Sequence, residues 1–122
     1  MTREFILETL LPYKQDPSNC GYKNGNCFYL TEDGKKCAVG KHMKEGPWQK
    51  ELANISTLSK NYSLQKMLTK EAFEQNISIE IWQKMQKYHD TIIIPDSENL
   101  NSNKKVKELE ELTNFKFPEL YF

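Results

Sequence analysis

Three cysteines, two histidines and a short lysine-rich run carry most of the side chains in this chain that could do chemistry. Cys20, Cys27 and Cys37 together with His42 or His89 are the ligand types of a zinc site. Successive cysteines are seven and ten positions apart, however, without the tight C-x-x-C pair that structural zinc favours. Cys27, Cys37 and His89 therefore stand as an alternative metal set, and no cofactor is the primary expectation. A catalytic reading makes Cys37 a nucleophile, His89 its base and Asp90 the group that orients the base. Neighbouring helix positions diverge by about 100°, so Asp90 is not expected to orient the far nitrogen of His89 and is expected instead to cap or to bond a loop N–H. The structural reading treats the cysteines as small buried hydrophobes and His89 as a core residue satisfied by a backbone carbonyl or a tyrosine hydroxyl. A third possibility lies in Lys35, Lys36, Lys41, His42 and Lys44, a basic concentration around a turn and Gly40 that suits a phosphate. Gly40-Lys41 lacks the rest of a P-loop, and Glu32, Asp33 and Glu45 dilute the patch, as in a solvated strand edge that resists aggregation.

These residues need elements to position them. Phe5, Ile6, Leu7, Leu10 and Leu11 recur at helical spacing, with Thr2 as N-cap and Pro12 closing the segment. Turn formers fill the stretch up to Asn26. Two β-prone runs, Cys27–Leu30 and Lys36–Val39, flank an Asp33-Gly34 pair, which predicts a β-hairpin over about 27–39. An even register, such as Cys27 opposite Val39, would make Cys27 and Cys37 diagonal neighbours on one face. Residues 41–62 give no clear element. Ser63 can cap a helix with Leu64, Met67, Leu68 and Ala72 on one face, ending near Asn76. Ser78 can cap the best-defined element, a core helix over about 79–93 in which Ile81 or Trp82, Met85, Tyr88 or His89 and Ile92 line one stripe. A polar linker over 95–103 leads to a C-terminal helix carrying Val106, Leu109 and Leu112 or Thr113. The apolar tail with Phe115, Phe117, Leu120, Tyr121 and Phe122, which ends the stretch 103–122, is expected to dock on the domain or to make a homo-oligomer contact. The fold expected is α+β: one antiparallel β-hairpin packed against about four short helices in a single domain, 1–122.

A chain of 122 residues fits one domain. Seventeen acids balance seventeen bases, so the broad positive field needed for non-specific nucleic-acid or membrane-surface binding is not expected. No run of about 18 apolar residues occurs, and the apolar N-terminal run is interrupted by acids, so neither a membrane span nor a secretory signal is expected. An odd number of cysteines without such a signal points to a reducing, cytoplasmic setting.

Cys27-x-Tyr29, Gly34-x-x-Cys37-Ala38-Val39-Gly40 and Gln86-x-x-His89-Asp90, in this order after a short N-terminal helix, resemble a family of small uncharacterised bacteriophage and prophage proteins. The family repeats C-x-Y, G-x-x-C-A-[VI]-G and L-Q-x-x-H-D, and the resemblance covers residues 3 to about 93. The chain departs from it at Lys41-His42-Met43-Lys44, where the family has a hydrophobic pair and then Pro-Asp, and at Met85, where the family has Leu. The resemblance implies a phage or mobile-element accessory protein of the host bacterial cytoplasm and implies no catalytic chemistry. Together with the lysines it suggests binding, either of a host protein or of a small phosphate-bearing ligand such as an immune signalling nucleotide, and so an anti-defence role. The alternative is a cysteine- or metal-dependent enzyme using Cys37 and His89.

Overall fold

The computed structural model describes residues 1–20, 22–23, 26–27, 34–45, 64–93 and 98–122, without the side chains of 22, 23, 26, 27, 64 and 65. Helix α1 (Arg3–Gln15) begins where the Thr2 hydroxyl accepts the Phe5 amide proton at 3.2 Å, satisfying one of the amides a helix start leaves without a partner. Its buried face comprises Phe5, Ile6, Thr9, Leu10 and Tyr13. Pro12 lies inside this helix and does not end it as expected. Proline forfeits its own amide and crowds the carbonyl four residues back, but the burial of Leu10 and Tyr13 on either side holds the next turn, where the Asp16 amide donates to the Pro12 carbonyl at 3.0 Å.

The single helix expected over 64–76 forms as two, α2 (Leu64–Met67) and α3 (Lys70–Glu74). Tertiary pairing breaks it. Leu68 bridges to Met43, the Lys44 amide donates to the Met67 carbonyl at 2.7 Å, and the Thr69 amide donates to the His42 carbonyl at 2.8 Å. Thr69 then caps α3 by accepting from the Ala72 amide. The expected cap Ser63 lies outside the described residues.

Helix α4 (Ile79–Ile93) matches its expected span, and Ser78 accepts from the Ile81 amide at 3.3 Å as its cap. Ile81, Trp82, Met85, Gln86, Tyr88, His89 and Ile92 are all buried, so each either-or of the sequence pattern resolves to both. Helix α5 (Leu100–Thr113) starts earlier than expected, after the left-handed Asn99, and buries Val106, Leu109 and Thr113 while Leu112 stays exposed. Its principal neighbour is α4, which also packs on α1. Left-handed Asn114 turns the chain back, and the tail buries Phe117 and Leu120 against its own domain. The Tyr88 hydroxyl donates to the Leu120 carbonyl at 2.8 Å, and that of Tyr121 donates to Glu110 at 2.6 Å. The buried apolar side chains of these elements form one cluster.

Among the described residues, the α+β fold with a hairpin over 27–39 is not seen. The described residues are mostly helical. Val39 has right-handed helical dihedrals (φ −80°, ψ −42°) and leads into a 3₁₀ turn, Gly40–His42, where a strand was expected. Cys27 pairs backward with Tyr22 and not forward with Val39, in a minimal ladder of two residues a side, β1 (Tyr22–Lys23) with β2 (Asn26–Cys27). Residues 28–33 lie outside the described residues. A short apolar run such as Cys37-Ala38-Val39-Gly40 has no period long enough to distinguish strand from buried turn. Its backbone groups are instead bonded within the turn and to a side chain of α4. Among the described residues, no helix is long and apolar enough to cross a membrane.

Candidate functional site

Cys37-Ala38-Val39-Gly40 is wholly buried. The Lys41 amide donates to the Cys37 carbonyl, that of His42 to Val39 and that of Met43 to Gly40, at 3.0, 3.0 and 3.1 Å. The Gly40 amide also points at Cys37 Sγ, 3.3 Å away. Cys37 is thus a buried thiol folded into its own turn, as the structural reading expects of a small hydrophobe.

The basic residues around this turn divide into two groups. His42 turns inward: its ring lies 4.6 Å from that of Phe5 and 5.8 Å from that of Trp82. Nε2 is 2.8 Å from Thr9 Oγ1, and the Thr9 hydroxyl gives its own proton to the Phe5 carbonyl at 2.7 Å. Thr9 must therefore accept from His42, which assigns the proton to Nε2. Burial pushes the His42 pKa down to about 4, with Lys41 adding to the effect. Lys44 is exposed, with its backbone bridged to Met67.

Lys35, Lys36 and Lys41 instead share a cleft of about 390 Å³, walled by Pro12 and Tyr13 at the end of α1, by Asn19 and by Gly34. The turn into it needs glycine: Gly34 has φ +85°, a region unfavourable to a residue with a Cβ. Lys41 Nζ donates to the Thr9 carbonyl at 2.9 Å and lies 5.0 Å above the Tyr13 ring, and burial lowers its pKa. The Tyr13 hydroxyl donates to the Lys36 carbonyl at 2.7 Å. Burial raises the pKa of that hydroxyl, with the Cys37 and Cys20 thiols adding to the effect. Tyr13 is therefore the partition between the cleft and the interior.

Behind the partition is His89, fully buried, with Tyr13 set edge-on to its ring at 4.7 Å. His89 Nδ1 lies 2.9 Å from Asp90 Oδ1, and Gln86 Nε2 donates to the same oxygen at 3.0 Å. Two donors converge on one carboxylate oxygen, which accounts for the 3.4 Å approach of Gln86 Nε2 to His89 Nδ1. The other end of the amide, Gln86 Oε1, accepts the Val39 amide proton at 3.3 Å. Asp90 meets the near nitrogen of His89, Nδ1, in place of the cap or loop N–H expected of it. The divergence of about 100° applies to the Cα–Cβ directions, whereas a short carboxylate at the edge of the buried stripe can fold back to Nδ1, two bonds from its own Cβ.

Among the described residues, no group of three His, Cys, Asp or Glu side chains is placed to hold a metal ion. The side chain of Cys27, one member of the set Cys27, Cys37 and His89, lies outside the described residues. Sequence reasoning missed the parts played by Thr9, Tyr13 and Gln86. Gln86 left a readable signal, a polar residue on the apolar stripe of α4; Thr9 and Tyr13, at the four-residue spacing of the Phe5 face, left a weaker one. Comparison of the chain with protein-family models, with curated proteins and with solved structures finds no match.

Proposed function

We propose that this chain is a phage-type accessory protein of the bacterial cytoplasm that acts by binding, and that the Lys35, Lys36 and Lys41 cleft takes the phosphate of a small ligand such as an immune signalling nucleotide. The observation that carries the reading is that these three lysines line one cleft in a chain whose net charge is zero. Its volume, about 390 Å³, falls within the roughly 300–1,000 Å³ of small-molecule sites. Lysine serves phosphate as a mobile point charge, and the anchored Lys41 would hold the inner end of the anion while Lys35 and Lys36 close on it. Removing such a ligand from solution would blunt a host response. Calorimetric titration with pyrophosphate and with ADP tests the reading: binding should weaken with salt and fall at least about tenfold in Lys35→Gln/Lys36→Gln. Absence of heat with either probe, in wild-type protein that pulls down a host protein, would favour the host-protein reading.

The enzyme alternative has one observation on its side, the orientation of His89 by Asp90. Against it, Cys37 and His89 are 1% and 0% exposed, and Cys37 Sγ already receives the Gly40 amide. Reactive cysteines are partly exposed and electropositive in setting, so Cys37 should resist iodoacetamide in the native fold. Rapid alkylation at Cys37 would restore the enzyme reading.

A further inference from the structure

Helix α4 does not line the lysine cleft, yet its polar residues reach the turn that leads to Lys41 and the ring of Tyr13, one of the cleft's walls. Gln86 Oε1 holds the Val39 amide, two residues before Lys41. The ring of His89 supports Tyr13, which in turn carries the Lys36 carbonyl on its hydroxyl and Lys41 Nζ over its face. Asp90 joins the two lines, since one carboxylate oxygen takes both the Gln86 amide and His89 Nδ1. We infer that Gln86, His89 and Asp90 are positioning residues of the lysine cleft, a buried brace that sets the distance between Lys41 and Lys36 for a phosphate-bearing ligand. The inference rests on the cleft reading proposed above.

Hydrogen-bond satisfaction gives the brace its fixed geometry. Glutamine can present its oxygen to Val39 only if its NH₂ group faces the other way, and the Asp90 carboxylate fixes that orientation. A buried amide whose partners are all met has one low-energy position, while one left unmet drives rearrangement. Substitution at Asp90 therefore loosens Gln86 and His89 together, and through them the Val39 turn and Tyr13. Asp90 is the best residue to perturb, because its side chain is 32% exposed and its truncation opens no deep cavity.

Two readouts on Asp90→Ala, Asp90→Asn and the control Glu108→Ala test this. Glu108 pairs with Lys84 and Lys105 on the far side of α4 and should affect only stability. The first readout is pyrophosphate affinity, expected to fall about tenfold in Asp90→Ala, as for groups that orient a ligand without touching it, with recovery in Asp90→Asn. The second needs no ligand: the ring-current-shifted Lys41 ε-methylene resonance and the Val39 amide resonance should move in Asp90→Ala and stay in Glu108→Ala. A folded Asp90→Ala with unmoved resonances overturns the brace, whatever the wild type binds. Moved resonances with unchanged pyrophosphate affinity overturn its role in positioning the cleft. Should the wild type bind no anion, the cleft reading falls, and the positioning role falls with it.

Discussion

The two faces of α4 are held in different ways. Toward α1 and the Cys37–Met43 turn it buries or half-buries polar groups, Thr9, Tyr13, His42, Gln86 and His89, each engaged by a directional bond. Toward α5 and the tail, the interior is largely apolar, with Val106, Leu109, Phe117 and Leu120 fully buried. The ion pairs there stand at the rim: Arg3 with Glu119, and Glu108 between Lys84 and Lys105. Apolar burial is non-directional and tolerates small shifts, whereas a buried donor without its acceptor costs about 1–3 kcal/mol. The first face therefore specifies geometry and the second mainly supplies stability. The candidate cleft opens on the first.

The largest expected effects test whether the two faces separate. Trp82→Ala and Leu120→Ala should each cost roughly 2–5 kcal/mol in denaturant unfolding. Only the former, which removes the ring beside His42, should bring the titration of His42 back toward its ordinary range by NMR. Equal behaviour of the two variants would collapse the distinction. Next comes pH. His42 is protonated in the unfolded chain below 6.5 but in the folded one only below about 4, so the unfolded state binds more protons in that window. Stability should fall as pH drops through the window, by up to roughly 3 kcal/mol, and His42→Phe should flatten the slope. Thr9→Val leaves His42 Nε2–H without its acceptor and should cost about 1–3 kcal/mol. The smallest effect lies on the other face: Lys84→Ala should cost about 0.2–1 kcal/mol, and the loss should fade in high salt. At that rim the Lys84 hydrogen bond holds the Glu108 carboxyl below the ordinary carboxylate range.

Legibility in the sequence tracked the length of the pattern. Over 79–93 the apolar stripe repeats for four turns, enough to outweigh local noise, and the helix stands where the spacing places it. The run Cys37–Gly40 has four residues, and Asp33-Gly34 supplied a turn signal that outweighed them. Gly34 does adopt a positive φ, but Cys37–Gly40 forms a buried turn in which Gln86, nearly fifty residues away, takes the Val39 amide. Pro12 misled for the same reason, since burial of Leu10 and Tyr13 overrides a local stop. At the candidate site, the grouping of Lys35, Lys36 and Lys41 was readable from adjacency in the chain. The departure of His42 into the core was not, because it depends on Phe5, Thr9 and Trp82.

Helix α1 has a consequence for the order of folding. Arg3 reaches Glu119 across 116 positions and donates from Nε to the Lys116 carbonyl, while Lys14 donates to the Glu119 carbonyl. Contacts so distant along the chain carry a large loop-closure cost and form late. During synthesis, Phe5 of α1 is met first by His42 and Trp82, and the helix is tied to the tail only once the residues beyond α5 leave the ribosome. Tyr13 and the Thr9 carbonyl bond Lys36 and Lys41 from only 23 and 32 positions away, so the walls of the lysine cleft close early and the tail is the last element to join α1.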